Sequence, residues 1–267
     1  MNFDHYFKKT PLVMGILNCT PDSFFDGGVR TTLDAQLQHC ATMIANGAAI
    51  IDIGAYSTRP GYTEISEDEE LRRLLPVVRK IREEFPDILL SVDTFRSGVV
   101  QRVFEEIGEF IVNDISGGLY DTEMLKTCGR LSLPYICMHL QDVTQSPTML
   151  ADMLHFFEKQ IVEAQKYNIP HIILDPGFGF GKTLDQQYEL MNGLDTFLSF
   201  NVPLLVGISR KSMIWKTLQS TPSEALTGTT ILNTVALMKG AHIIRVHDVQ
   251  EAVECVKLIG KITRVVE

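Results

Sequence analysis

Residues 171–183 read His-Ile-Ile-Leu-Asp-Pro-Gly-Phe-Gly-Phe-Gly-Lys-Thr, a short apolar run that ends in a carboxylate and passes into a glycine-rich turn. A run of β-branched and apolar residues bounded by turn residues predicts a buried strand followed by a loop. An amphipathic stretch follows the turn, and its apolar spacing predicts a helix. The segment is therefore one strand-loop-helix unit.

The glycines of this turn match neither of two common phosphate-binding motifs. A P-loop reads G-x-x-x-x-G-K-[ST], and its required first glycine would fall on Pro176. The dinucleotide-binding motif G-x-G-x-x-G does not fit either, because Lys182 stands where the third glycine belongs. The turn therefore predicts no nucleotide site of either kind.

Comparable units recur along the whole chain at intervals of roughly 30 residues. The sequence predicts eight strands, which begin near Leu12, Ala49, Ile88, Phe110, Pro134, His171, Pro203 and His242. No Ser/Gly/Pro-rich linker or shift in composition divides the chain, so we predict a single domain over residues 1–267. The predicted fold class is α/β, a (β/α)8 TIM barrel, with a doubly wound open sheet as the alternative.

Composition excludes several classes of partner. The chain of 267 residues has a net charge of -9 and no block of Lys or Arg, which disfavours a nucleic-acid partner. No apolar run reaches the length of about 18 residues that a membrane span needs. The residues from Met1 to Thr10 lack the apolar core of a secretory signal. The five cysteines are scattered without any C-x-x-C pair, which favours a reducing cytoplasm over a disulfide framework or a zinc site.

Carboxylates and amides stand at the predicted ends of several strands. Asp52 interrupts the apolar run of the second strand, and its alternative role is an internal ion pair. Asp93, Asn113 and Asp175 close the third, fourth and sixth strands, where each could instead cap a helix. A barrel gathers the carboxyl ends of its strands around one axis, so we expect these side chains to meet in one site.

Positive groups follow the last two strands. Lys211 comes after the seventh strand, and Arg245 and His247 come at the end of the eighth. Barrels commonly bind phosphate at these two loops. The sequence therefore predicts an anion site here, against the alternative that the charges belong to two separate helix starts.

Two other loops carry residues typical of a binding site. The segment from Asn18 to Gly28 is long for a strand-to-helix connection and holds the adjacent aromatics Phe24 and Phe25, which predicts a lid over a substrate, with a solvated surface loop as the alternative. Arg59, beside Pro60 and Gly61 after the second strand, is either a solvated charge or an anion clamp.

Seven segments in order resemble those of the dihydropteroate synthase family. They are Gly15-Ile-Leu-Asn-Cys-Thr-Pro-Asp-Ser-Phe24, Ser57-Thr-Arg-Pro-Gly61, Ser91-Val-Asp-Thr94, Asn113-Asp-Ile115, Asp175-Pro-Gly-Phe-Gly-Phe-Gly-Lys182, Ser209-Arg-Lys-Ser212 and Arg245-Val-His-Asp248. Each segment closes a predicted strand, and the resemblance covers nearly the whole chain. The expected activity is the condensation of 6-hydroxymethyl-7,8-dihydropterin diphosphate with 4-aminobenzoate to 7,8-dihydropteroate and diphosphate, on the route to folate.

The resemblance assigns residues to three substrate groups. The pterin-binding positions are Asp93, Asn113, Asp175 and Lys211, with Arg245 against the flat ring, and Asp52 and Ile115 are further expected substrate-binding residues. The diphosphate-binding positions are Asn18, Arg59, Arg245 and His247, with Mg2+ on the diphosphate and Asn18. The surroundings of 4-aminobenzoate, where sulfonamides bind in the family, are Phe24, Thr58, Pro60, Phe180, Lys211 and Ser212.

The resemblance also implies a mechanism and an assembly. Loss of diphosphate leaves a pterin-stabilised cation, which the arylamine attacks, and Arg59, Lys211, Arg245 and His247 are the expected catalytic residues. The family is commonly dimeric, so a homodimer is expected. Three alternatives remain open: a pterin-binding methyltetrahydrofolate:corrinoid methyltransferase, a Schiff-base aldolase using Lys211, and a degenerate barrel that only binds a ligand or partner.

The chain departs from the family pattern in three places. Ala55-Tyr56 stands where many members have Gly-Glu, and Phe25 replaces a common serine. The segment from Leu140 to Gln145 also differs, which bears on the surroundings of His139.

Overall fold

The computed structural model describes residues 11–19, 33–56 and 65–263. Its strands begin within two residues of the predicted positions, because each apolar run is bounded by turn residues. The strands are β1 Leu12–Asn18, β2 Ile50–Gly54, β3 Leu89–Asp93, β4 Ile111–Asp114, β5 Tyr135–Met138, β6 Ile172–Asp175, β7 Leu205–Val206 and β8 Ile243–Val246.

Helices separate the strands along the described chain. They are α1 Leu33–Ala45, α2 Glu67–Glu84, α3 Ser97–Ile107, α4 Met124–Arg130, α5 Met149–Lys166, α6 Leu184–Asn192, α7 Ser212–Thr217, α8 Leu226–Met238 and α9 Val249–Thr263, with 3-10 turns at Leu194–Phe200 and Pro222–Glu224. The strand β7 is followed by two helices, the short α7 and then α8, before β8.

All strand pairs are parallel and the sheet closes on itself. The order of the strands is β6-β5-β4-β3-β2-β1-β8-β7. A parallel bridge between Leu174 and Leu204 joins β6 to β7 and completes the ring. The predicted (β/α)8 barrel is therefore confirmed over the doubly wound sheet, whose edge strands would stay apart.

Successive strand residues face opposite sides of this wall. One face packs against the helices in a large buried cluster that includes Ile51, Leu90 and Leu174. The other face fills the barrel interior with a smaller cluster: Leu12, Met14, Ile50, Leu89, Ile111, Ile136, Ile173, Leu205 and Ile243. The interior is therefore packed solid rather than open as a channel.

The interior cluster also determines which residues face the candidate site. On five of the strands, β2, β3, β4, β6 and β8, the residue two positions after the interior one is polar or charged and lies on the same face. Ile50 is followed in this way by Asp52, Ile111 by Asn113, Ile173 by Asp175 and Ile243 by Arg245. The apolar layer forms the floor, and the charged layer lies on it at the carboxyl ends of the strands.

A serine caps the start of helix α2. Ser66 is its N-cap and accepts a hydrogen bond from the backbone N–H of Glu69, 3.2 Å away. The Glu69 carboxylate binds Arg72 and Arg73 instead of returning to the cap. None of the helices in the described ranges is long and apolar enough to cross a bilayer.

Candidate active site

Arg245 is the centre of the charged layer. Its Nε donates to Asp52 Oδ2 at 2.6 Å, and its Nη2 donates to Asp93 Oδ2 at 3.0 Å. Asn113 Nδ2 donates to the same Asp52 oxygen at 3.1 Å. Four of the predicted site residues, from β2, β3, β4 and β8, are thus joined by direct hydrogen bonds. Asp52 also forms an internal ion pair, the alternative role considered for it, and its partner is the site residue Arg245.

A glycine gives Asp93 the space that it occupies. Gly54 pairs with Asp93 in the register of β2 and β3. A Cβ atom at Gly54 would lie 3.3 Å from the Asp93 Cβ, closer than most side chains approach each other. The glycine that ends β2 therefore leaves room for the site carboxylate on the neighbouring strand.

Burial and neighbouring charge act in opposite directions on this cluster. Burial raises the pKa of Asp93 to about 7, with added repulsion from Asp52, although Arg245 acts to lower the pKa. Burial would lower the pKa of Arg245, but the Asp52 and Asp93 carboxylates outweigh it and raise that pKa. The guanidinium therefore stays charged, while Asp93 can exchange a proton near neutral pH.

A second group of site residues comes together between β6 and β7. Asp175 Oδ1 accepts a hydrogen bond from the Gly177 backbone N–H at 2.8 Å. Lys211 donates to the Phe178 carbonyl, and its Nζ lies 4.7 Å from the centre of the Phe180 ring. Burial raises the pKa of Asp175 against the opposing charge of Lys211. Burial also lowers the pKa of Lys211 to about 8, an effect that Asp175 opposes. The fold thus places Asp175, Lys211 and Phe180 in one pocket.

Ser209, for which the sequence predicted no role, contacts His247. The structure places its hydroxyl 3.0 Å from His247 Nδ1, and the His247 backbone N–H donates to the same oxygen at 3.2 Å. Ser209 is 6% exposed. The sequence feature that could have indicated a role for Ser209 is its position at the end of the seventh predicted strand, beside the expected anion site.

The remaining predicted residues fall into two sets. Asn18 ends β1, Ile115 follows β4 and Ser212 begins α7, so all three lie at the carboxyl ends of strands. Phe24, Thr58, Arg59 and Pro60 lie outside the described residues.

Two candidate polar residues have structural roles. Asp114, which lies in the segment Asn113-Asp-Ile115, accepts hydrogen bonds from Ser116, from the Gly118 backbone and from the Tyr135 hydroxyl, at 2.7 to 2.9 Å. His139 is 1% exposed, and burial lowers its pKa to about 4. Asp114 therefore shapes the loop after β4, and His139 is a neutral, buried side chain.

The substitution of Tyr56 for the family's glutamate is accommodated by aromatic packing. The Tyr56 and Phe95 rings meet edge to face with their centres 5.1 Å apart. The Arg96 guanidinium lies 5.5 Å from the centre of the Tyr56 ring. An aromatic residue thus packs at the end of β2 against residues that follow β3.

Comparisons with known proteins agree with this geometry. The model of the pterin binding enzyme family matches residues 14–247. The dihydropteroate synthase of Escherichia coli (strain K12) is 43% identical over 258 residues, which are 93% of this chain and 90% of that protein. The chain belongs to the dihydropteroate synthase family. The predicted family and its transferase class are therefore confirmed over the methyltransferase, aldolase and non-enzyme alternatives.

Solved structures of family members show the same fold. A Yersinia pestis dihydropteroate synthase in a sulfonamide drug complex has a TM-score of 0.89 and 40% identity, covering 96% of this chain and 95% of that one. The Xanthomonas albilineans dihydropteroate synthase with 4-aminobenzoic acid has a TM-score of 0.88 and 34% identity, covering 96% of this chain and 94% of that one.

Proposed function

We propose that this enzyme condenses 6-hydroxymethyl-7,8-dihydropterin diphosphate with 4-aminobenzoate, forming 7,8-dihydropteroate and diphosphate in the folate route. The observation that carries the proposal is the single cluster in which Arg245 binds Asp52 and Asp93 beside Asp175 and Lys211. It combines a set of acceptors for a flat heterocycle with a permanent positive charge for a phosphorylated group. Family membership supports the same reaction.

The acceptors suit the pterin ring. Its amino and ring N–H groups would donate to the carboxylates of Asp93 and Asp175, which are partly and largely buried. Asn113 uses Nδ2 to bind Asp52, and its amide oxygen would accept a hydrogen bond from a ligand donor. The Lys211 ammonium group would donate to a pterin acceptor, and Ile115, 9% exposed, would pack beside the ring.

The diphosphate would bind at the mouth of the barrel. The Nη1 group of Arg245 takes part in neither of its two carboxylate bonds, so it can donate to a phosphate oxygen. His247 would donate from Nε2, because Ser209 binds its Nδ1. We assign Asn18 and Arg59 to the same group.

The arylamine would bind beside Phe180, Lys211 and Ser212. The Phe180 ring lies next to the Lys211 ammonium group, which offers an aromatic surface and a positive charge in one place. The ring can pack on the benzene of 4-aminobenzoate, and Ser212 can donate to its carboxylate. Phe24, Thr58 and Pro60 are assigned to this pocket too, and sulfonamides should bind here.

The reaction would proceed by dissociation of the diphosphate. The bond between the pterin methylene carbon and the bridging oxygen breaks, and its electron pair leaves with the diphosphate. Arg245 and His247 stabilise this anion, while the carboxylates of Asp93 and Asp175 stabilise the positive charge left on the pterin. The arylamine nitrogen then bonds to the methylene carbon and loses a proton.

The described residues fit a Mg2+ ion that depends on the substrate. The Asn18 amide oxygen is a hard ligand of the kind that Mg2+ prefers. Within residues 11–19, 33–56 and 65–263, no three or more His, Cys, Asp and Glu side chains are grouped to hold a metal. Diphosphate oxygens and water would complete the coordination, as is usual for Mg2+. The bound ion would neutralise charge on the leaving diphosphate.

We also propose that the enzyme is a homodimer in which α8 and α9 form the interface. Ile231 and Met238 are seven residues apart on one face of α8, and each is more than half exposed. Leu258 and Ile262 are one turn apart on the neighbouring helix α9 and are equally exposed. A second copy of this patch would remove both faces from water.

The proposed location is the cytoplasm, and the proposed domain covers residues 1–267. All five cysteines are buried as free thiols, which suits a reducing compartment.

The direct test mixes the purified protein with Mg2+, dihydropterin diphosphate and 4-aminobenzoate. Chromatography should detect dihydropteroate, and a phosphate assay should detect an equal amount of released diphosphate. Release of diphosphate without dihydropteroate, or neither product, would contradict the proposal.

A further inference from the structure

Lys182 is a buried lysine with no part in the reaction described above. It follows the glycine-rich turn after β6 and is 8% exposed. Its Nζ lies 3.1 Å from the Gly177 carbonyl oxygen and 3.0 Å from that of Phe180. The third donor direction faces His139, with Nδ1 at 3.4 Å and the carbonyl oxygen at 3.5 Å. The ammonium group is thus enclosed by acceptors of two loops.

The backbone of the turn is shaped to enclose this ammonium group. Gly177, Gly179 and Gly181 have φ angles of +69°, +84° and +55°, in the left-handed region that side chains disfavour. A Cβ atom at Gly177 would lie 2.2 Å from the His139 carbonyl oxygen. The alternation of glycines therefore allows the turn to fold back closely on the loop after β5, with the Lys182 ammonium group between them.

The same turn carries the contacts that place the site residues. The Gly177 N–H binds the Asp175 carboxylate, and the Phe178 carbonyl accepts from Lys211. The Phe180 ring lies 4.7 Å from the Lys211 Nζ. The two carbonyls that Lys182 holds belong to Gly177 and Phe180, on either side of the Phe178 carbonyl that Lys211 holds.

We propose that Lys182 is a positioning residue for the arylamine pocket: its ammonium group fixes the turn from Gly177 to Gly181 in the shape that places Phe180 and Lys211. The inference rests on the proposed roles of those two residues. Burial lowers the pKa of Lys182 to about 8, with Asp175 acting to raise it, so the group is charged at neutral pH. Loss of the charge would remove the ammonium donor from the Phe180 carbonyl and leave the Gly177 carbonyl with the Phe180 N–H, 3.2 Å away, so the turn would relax.

The test compares Lys182→Met, which keeps the length of the side chain without its charge, and Lys182→Ala with the unchanged enzyme. We expect the KM for 4-aminobenzoate to rise by about tenfold or more, because small displacements of positioning groups are costly. The KM for dihydropterin diphosphate should rise clearly less, because Asp175 and Lys211 touch the turn but its other assigned ligands, on β3, β4 and β8, do not. Partial restoration of Lys182→Ala by n-propylammonium, and not by n-propanol, would support the role of the ammonium group.

Two further variants keep the test decisive. Lys166→Ala removes an exposed lysine of α5 and should leave both KM values unchanged. Phe180→Ala reports on the pocket itself: an unchanged KM for 4-aminobenzoate there would contradict the proposed pocket. Two outcomes would overturn the role of Lys182. One is a KM for 4-aminobenzoate that is raised in Phe180→Ala but normal in Lys182→Met. The other is an equal rise in the KM of both substrates in Lys182→Met. If Lys182→Met does not fold, Lys182→Gln, which keeps an N–H donor, takes its place.

Discussion

Arg245 Nε lies 2.6 Å from Asp52 Oδ2, although 193 positions of the sequence separate the two residues. Asp52 is fully buried and Arg245 retains 22% of its side-chain exposure, so the pair extends from the floor of the barrel to its mouth. The same guanidinium also binds Asp93. One side chain thus neutralises buried carboxylates in the free enzyme and, in our proposal, binds the leaving diphosphate.

Replacing Arg245 by Ala should impair both catalysis and stability. Removal of the charge facing the diphosphate should reduce kcat by about a hundredfold or more. It also leaves the Asp52 and Asp93 carboxylates without their cationic partner, which should lower the free energy of unfolding by about 3–5 kcal/mol. Arg245→Lys should recover part of the stability but little of the turnover, because a compact ammonium group lacks the planar fork with which the guanidinium reaches separate carboxylates and a phosphate. Steady-state kinetics and denaturant unfolding measure the two effects, and a fully active Arg245→Ala would contradict the assignment.

Pterin binding should weaken as the pH falls below neutrality. The pKa of Asp93 in the free enzyme is raised to about 7, and the bound pterin donors favour the ionised carboxylate. Below that pKa the carboxyl must release a proton when ligand binds, so affinity should fall by up to about tenfold per pH unit. Titration calorimetry of a pterin, in buffers of different ionisation enthalpy, measures both affinity and proton release.

The Asp93→Asn variant should bind the pterin more weakly at every pH, and its affinity should no longer depend on pH in this range.

The stability of the unliganded enzyme should show the opposite trend with pH. Since the folded state binds the extra proton between about pH 4 and 7, Asp93 contributes a loss of stability as the pH rises through that window. A pterin affinity that is constant from about pH 6 to 8 would show that Asp93 is already ionised in the free enzyme.

Ser209→Ala should lower kcat without weakening arylamine binding. The hydroxyl fixes His247 through Nδ1 and through the backbone N–H, so its loss frees the ring orientation and the choice of tautomer. We expect a reduction in kcat of about tenfold. Ser212→Ala is the matched control, because it should raise the KM for 4-aminobenzoate instead. Identical kinetic changes in the two variants would remove the distinction between their roles.

Chelation of Mg2+ should stop turnover while leaving the pterin pocket functional. The proposed ion depends on diphosphate oxygens, so a pterin that lacks the diphosphate should bind equally well with and without EDTA. The diphosphate substrate should bind more weakly after chelation, and added Mg2+ should restore both binding and rate. Equal affinity for the diphosphate substrate under both conditions would contradict a metal bound through it.

The proposed dimer should dissociate when charge is placed in the exposed patch of α8 and α9. Met238→Glu combined with Leu258→Glu should shift the mass measured by light scattering from dimer to monomer, because buried unpaired carboxylates oppose association. The exposed Leu119, which follows β4 on another part of the surface, provides the control variant Leu119→Glu. A wild-type enzyme that is monomeric at micromolar concentration would end this proposal.

Local patterns were sufficient to predict the elements and to nominate most residues of the candidate site. Each strand is a short apolar run between turn residues, and residues such as Asp52 and Asp93 stand out because a carboxylate in an apolar run needs a partner. The sequence pattern does not identify the residue that pairs with each carboxylate. In β2, Ile50 shares a face with Asp52 and the other face carries Ile51 and Ile53, so the apolar pattern does not show which face is interior. Only barrel closure puts Asp52, Asp93 and Arg245 on the same face.

The sequence by itself determined the order of strands and helices, the family and the identity of the groups that carry charge. The tertiary structure decided how those groups are used: Asp114 braces a loop, Ser209 orients His247 and Lys182 is enclosed by carbonyls. The physical reason is that apolar periodicity is written into neighbouring residues, whereas hydrogen bonds and pKa values depend on atoms that the closed barrel brings together from distant strands.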